Sequence, residues 1–167
     1  TVAQYKGLRG LQRVYDMVLE LGKGERVLGF EGGRSSEKKM AVLPQGYSRE
    51  WQDAAKRKGI ILEVIVSETL LDVIGKASAE LLRAANGRAS ITYVLPDEAM
   101  DFHSDILVFG RHVAIITPSL LTAVVITDSS TSAAFRQLMN VACMMGKKVD
   151  LNAFIAQTLR GLENKSA

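Results

Sequence analysis

The sequence predicts a mixed α/β domain, one sheet flanked by helices, and three observations predict it. Segments with apolar residues three and four apart alternate along the chain with short β-branched runs, which is how helices and strands that take turns look in one dimension. Ile60 to Val66 is apolar apart from Glu63 and follows directly on Gly59 at the end of a helical pattern, as expected of an interior strand covered on both faces. Gly110-Arg111 separates two further runs, Asp105 to Phe109 and His112 to Ile116, and a two-residue link with Gly first suits a tight type II′ hairpin.

Taken in order, Leu8, Leu11, Tyr15 and Val18 lie on one face of a first helix over Gly7 to Leu21, closed by Gly22 and Gly24. Arg26 to Phe30 reads as a strand, and Glu31 to Gly46 as a polar loop broken by Gly32-Gly33, Ser35-Ser36 and Pro44. Tyr47, Trp51, Ala54 and Ala55 form the apolar side of a second helix with Ser48 as its expected N-cap and Gly59 as its end. After the buried strand, Leu70, Ile74, Ala77 and Leu81 predict one further helix that stops at Asn86-Gly87, residues that tolerate a left-handed conformation. Ala89 to Leu95 is the next strand, the hairpin follows, and Leu121 to Ile126 is another β-branched run. Asp128 or Ser129 caps a helix whose inward face is Phe135, Leu138, Met139 and Ala142, with Cys143 among its apolar residues. A last helix starts at the Asp150 cap, with Val149 and Phe154 placed for a hydrophobic staple, and runs through Ile155, Leu159 and Leu162.

The chain has 167 residues, 47% hydrophobic and 23% charged, enough for one domain with one core and unlike a disordered or fibrous sequence. Its longest apolar runs are strand-sized, far short of the roughly 20 residues that span a bilayer. With a single cysteine, Cys143, and no leader-like start, a reducing cytoplasm is the expected setting. The net charge of +3 is spread over interspersed residues, whereas nucleic-acid contact needs a concentrated patch. Lys38-Lys39, Lys56-Arg57-Lys58 and Lys147-Lys148 read as solvated helix ends. Thr1 in place of Met is compatible with removal of an initiator Met and with a fragment of a longer protein.

Familiar chemistry is mostly excluded. The Gly32-Gly33 pair follows a strand, but neither GxGxxG nor GxxxxGK is present and the glycines do not open a helix in this reading. Two histidines, His103 and His112, and one cysteine offer no zinc spacing, and GxSxG is absent. No cofactor and no metal is expected.

The informative stretch is Phe102 to Thr122, FHSDILVFGRHVAIITPSLLT. It resembles, in register, the HxKxxxxD segment of phospholipase-D-like proteins and the strand that follows it, with His103 on the motif histidine, Asp105 on the lysine and Gly110 on the aspartate. In that family the histidine is the phosphoryl-accepting nucleophile and the lysine holds the phosphate. Asp105 reverses that charge, a change worth on the order of 4 kcal/mol for one unit pair at about 4 Å and an effective dielectric near 20. No second HxK occurs, since Ala114 stands two places after His112.

The order of segments narrows the resemblance. YKGLRGLQRVYDMVLELGKGERVLGF, YSREWQDAAKRKGIILEVIV, LPDEAMDFHSDILVFGRHVAIIT and AVVITDSSTSAAFRQLM look like the C-terminal domain of TrmB-like transcriptional regulators from Tyr5 to about Met139. The resemblance implies a phospholipase-D-like mixed sheet, here over residues 1–148, and a winged helix-turn-helix in a part of the protein preceding Thr1; the helical extension over 149–167 lies beyond the resemblance and is expected to add packing or dimer contact. It implies a non-catalytic domain that senses a small, sugar-like effector and reaches DNA only through that missing part. A two-fold DNA-binding protein needs a symmetric dimer, and the broad apolar faces of the helices from Gly7 and Val149 are its expected surface. The expected ligand site is a cleft near His103 and Asp105, with Glu31 and Arg49 from neighbouring segments. Two alternatives stand beside it, a residual phosphodiesterase or nuclease and a purely structural dimerisation module.

Overall fold

Residues 1–167 are described by a computed structural model, and its centre is one mixed sheet. The strands are β1 (Val2–Lys6), β2 (Arg26–Glu31), β3 (Ile61–Ser67), β4 (Ser90–Leu95), β5 (Asp105–Phe109), β6 (His112–Thr117), β7 (Thr122–Thr127) and β8 (Lys147–Val149), in the order β1-β7-β6-β5-β2-β3-β4-β8. β2, β3 and β4 run parallel, and every other neighbouring pair is antiparallel. The helices are α1 (Gly7–Val18), α2 (Ser35–Val42), α3 (Gln45–Lys58), α4 (Leu70–Gly75), α5 (Ala79–Ala85), α6 (Ser129–Met145) and α7 (Leu151–Ser166).

The two faces of the sheet are covered very unequally. Strand side chains alternate between faces, so Val27, Leu62, Val64, Val66, Leu107, Phe109, Ala114 and Val125 pack on one side with Leu11, Val14 and Val18 of α1 and Ala55 of α3. Leu28, Ile65, Leu95, Val108 and Val113 pack on the other, where Met139 of α6 is the buried helical residue. α6 links β7 to β8, which are six strand spacings apart in the sheet, about 29 Å at 4.8 Å each. A helix of 17 residues is about 25 Å long, so α6 has to cross the strands rather than run along them.

Several expectations are corrected. Glu31 to Gly46 is not a loop, because Ser35–Val42 forms α2; with both Ser35 and Ser36 buried, tertiary contacts hold a helix that its weak apolar pattern does not announce. Ser48 lies inside α3, whose N-cap is Pro44. Leu70 to Leu81 is two helices, since Ser78 caps α5 by accepting a hydrogen bond from the Leu81 amide. Leu138 is 67% exposed: Phe135, Met139 and Ala142 make the inward contact of α6, and Leu138, about 100° round the helix from Met139, turns away. β1 adds an edge strand where none was expected, all of Val2–Lys6 pairing antiparallel with β7.

The hairpin is as expected, β5 and β6 pairing from Phe109↔His112 to Asp105↔Ile116 with Gly110 at φ +53°. Asp128 and Asp150 cap α6 and α7 through the amides of Thr131 and Ala153. The C-terminal segment begins as sheet, Val149 pairing with Thr92, and Leu151, Ile155 and Leu159 of α7 share a core with Leu82 of α5 and with Ala77.

Candidate functional site

The parallel strands end beside β5, and the register brings two carboxylates side by side: Glu31, last residue of β2, is the partner of Asp105, first residue of β5. Both project to the α1 side of the sheet. Asp105 is completely buried and accepts from three side chains on two helices, the Tyr15 hydroxyl of α1 at 2.9 Å and, from α2, the Ser35 hydroxyl at 2.6 Å and the Lys39 ammonium at 2.9 Å. Ser35 and Lys39 stand four residues apart on α2 and therefore on one face of it. Lys39 also lies 3.7 Å from Glu31 and over the Tyr15 ring, 5.7 Å from its centroid.

These partners set the protonation chemistry. Burial, and then Asp105, push the Tyr15 phenol well above its usual value, so it remains a donor. Burial alone would lower the Lys39 ammonium; Asp105 and Glu31 outweigh it and hold the amine above its usual value. Burial raises the Glu31 carboxyl, with Lys39 opposing and Asp105 adding to the rise.

Above this cluster, between the sheet and α1, α2, α3, α5 and α7, is a cavity of about 220 Å³. Most of its lining is hydrocarbon, including Val64, Leu82 and Ile155, and its aromatic walls turn their polar tips away. The Trp51 indole donates to the Tyr15 carbonyl at 3.0 Å, and the Tyr47 hydroxyl to Asp16 at 2.7 Å. Gly29 forms part of the floor; a Cβ there would come within 3.1 Å of Val64 and 3.4 Å of Leu107. Polar groups enter through Glu31, Lys39, Asp105 and Arg88. Arg88, just before β4, is only 7% exposed; it donates to Ser90 at 3.3 Å and to Gln52, and burial draws its guanidinium down to about 10 with Glu31 opposing.

The sequence-predicted residues separate here. Asp105 and Glu31 line the cavity. His103 is exposed in the turn before β5 and Arg49 faces Glu80 at 3.8 Å on the surface; neither lines the cavity. Lys39, Arg88 and Tyr15 were missed as site residues. Nothing in the local pattern announces α2, which carries Ser35 and Lys39, and nothing in the sequence around Arg88 distinguishes it from a solvated arginine. Gly32-Gly33 does lead almost directly into a helix, contrary to the loop reading, yet its amides are taken: Gly32, Gly33 and Arg34 donate to the carbonyls of Ser104, Met100 and Phe102. No group of three or more His, Cys, Asp or Glu side chains is gathered as metal ligands.

No family model matches the sequence, and no curated protein does. Solved structures do. Nuc from Salmonella typhimurium, a phospholipase D family member, superposes with a TM-score of 0.61 over 89% of this chain and 97% of Nuc, at 11% identity. The chain has the phospholipase D fold. TrmBL2, an archaeal chromatin protein with a novel mode of DNA binding, superposes with a TM-score of 0.59 at 20% identity, over 89% of this chain and 53% of TrmBL2. The chain thus spans about half the length of that protein. Within this phospholipase D fold, β5 is the strand that bears the sequence resemblance, and its first residue is the buried Asp105. No helix is long and apolar enough to cross a membrane.

Proposed function

We propose that this is a non-catalytic, ligand-sensing domain of a transcriptional regulator, with its effector site in the cavity beneath α3 and α5. The observation that carries the reading is the state of Asp105. Where the resemblance expects a phosphate-holding lysine, a buried carboxylate accepts from Tyr15, Ser35 and Lys39, so its charge is committed to binding helices to the sheet. The adjoining cavity has convergent polar groups on a mainly apolar lining, the usual character of a small-molecule site. The fold match to TrmBL2 supports a regulator, in which DNA contact belongs to another part of the protein.

Self-association is the second half of this reading, and its surface differs from the one the sequence suggested. The apolar faces of α1 and α7 are consumed in the protein's own cores, whereas Leu138, Val141, Met144 and Met145 of α6 are 51 to 86% exposed. This exposed stripe supports a second copy of the chain docking across α6, giving the symmetric dimer that a two-fold DNA-binding regulator requires.

Two measurements test the function. A generic phosphodiester should not be hydrolysed, and hydrolysis that disappears in His103→Ala would overturn the non-catalytic reading. Trp51, the single tryptophan, lines the cavity, so its fluorescence should respond to a bound effector; a library of metabolites that leaves both fluorescence and melting temperature unchanged counts against sensing.

A further inference from the structure

Arg88 is the one cationic side chain of the cavity without a carboxylate. Lys39 has Asp105 at 2.9 Å and Glu31 at 3.7 Å, while no acidic oxygen lies within 4.0 Å of Arg88, although the residue is 7% exposed. A guanidinium carries five N–H donors; Nε is used by Ser90 and one on Nη1 by Gln52. The rest of its fork has no protein acceptor. Charged groups removed from water without a counter-charge are strongly disfavoured, and a fork of parallel N–H donors matches a carboxylate two-point to two-point.

We propose that the cavity binds a small amphipathic carboxylate, an acid with a hydrocarbon or aryl body, whose carboxylate is held by Arg88. This rests on the ligand-binding reading above and names the ligand class for the same site. The body is dictated by the walls: Val64, Leu82 and Ile155 offer no hydrogen bonds, and Trp51 and Tyr47 have spent theirs elsewhere. A sugar would place hydroxyls against these walls and leave them unpaired, which disfavours the sugar-like effector that the sequence resemblance implies. A phosphate dianion would bring two charges to a site that has one unmatched cation and also contains Asp105 and Glu31. The Glu31 carboxyl, raised by burial, is a weak competitor for Arg88. An apolar cavity of ~150 Å³ takes a benzene ring, so 220 Å³ suits an acid of about ten non-hydrogen atoms.

Octanoate has that size, and 1-octanol is its uncharged counterpart. Both are titrated into the full chain, with Trp51 fluorescence and calorimetry as readouts and maltose as a polar control. Octanoate is expected to bind at least tenfold tighter than 1-octanol, a preference that Arg88→Met abolishes and Leu82→Trp removes by filling the cavity. Equal affinity for acid and alcohol, or octanoate binding indifferent to Arg88→Met, overturns the anchor while leaving a ligand-binding cavity. Maltose binding without octanoate binding overturns the ligand class and leaves sensing intact. Silence from octanoate, 1-octanol and maltose overturns the present proposal, and the metabolite library then decides the sensing reading separately. If Arg88→Met does not fold, the acid-to-alcohol ratio on the unmodified protein still decides.

Discussion

The Tyr15 hydroxyl donates to Asp105 Oδ2 at 2.9 Å across 90 residues of sequence, in a buried setting. With Ser35 and Lys39 on the same carboxylate, Asp105 joins α1, α2 and β5 at one point. Tyr15→Phe removes one charge-assisted hydrogen bond without opening a cavity and should cost about 2 kcal/mol in urea unfolding. A loss below about 0.5 kcal/mol would mean that the phenol is not bonded to the carboxylate in solution.

Breaking the ion pair between buried Asp105 and part-buried Lys39 from one side should hurt more than removing both partners. Asp105→Leu leaves Lys39 without its closest acceptor and should cost about 3 to 5 kcal/mol. Adding Lys39→Met to it should restore part of that loss, with a coupling of about 1 to 3 kcal/mol in a double-mutant cycle. Strict additivity of the two changes would show that the pair does not interact.

Glu31 gives stability a specific pH dependence. Its folded pKa is raised above the usual 4.5 by burial, so the native state holds that proton more tightly than the unfolded chain does. The group's contribution is therefore full below 4.5 and is lost as pH rises through the raised value. Glu31→Gln should raise the melting temperature relative to the unmodified protein at about pH 8, and the gain should vanish near about pH 4. A variant less stable at both pH values would show that the Lys39 contact outweighs the desolvation of Glu31.

Gly32 is a packing glycine. A Cβ on it would fall inside contact distance of the Phe102 carbonyl oxygen, whose segment also accepts the amides of Gly32, Gly33 and Arg34. Gly32→Ala should destabilise the protein by about 1 to 3 kcal/mol through overpacking, detectable as a lowered urea midpoint. Gly24→Ala is the matched control: a Cβ there meets nothing, and its φ of +80° alone sets its cost.

The α6 stripe separates association from folding. Leu138→Lys with Met145→Lys changes two side chains that are 67% and 77% exposed, so the melting temperature of the monomer should barely move. Sedimentation should shift from dimer to monomer. Unchanged sedimentation of the double variant would remove α6 from the interface.

Element types were largely legible in the sequence because local periodicity reports burial: the β3 run, the Gly110 hairpin and the Asp128 and Asp150 caps all appear where the residue pattern puts them. The order of segments around Phe102 to Thr122 was enough to indicate the phospholipase D fold. Asp105 stood out as a departure from a motif, and Glu31 as a candidate from a neighbouring segment; the β2–β5 register is what sets them side by side. What the pattern lacked was any local reason for α2, whose Ser35 and Ser36 are buried by tertiary contact, or for β1, which exists because β7 offers it an open edge.

The sequence by itself determined the alternation of helices and strands, since each element's apolar spacing is a property of neighbours along the chain. Only the tertiary structure decided the site. Tyr15, Lys39, Arg88 and Asp105 are far apart in sequence, and a lysine or arginine in one dimension reads as solvated. Sheet register and helix docking take most of the water from Lys39 and Arg88, give the first a carboxylate and leave the second without one. That difference arises from geometry across the fold, because the strength and pairing of a charge depend on the distance and dielectric that packing sets.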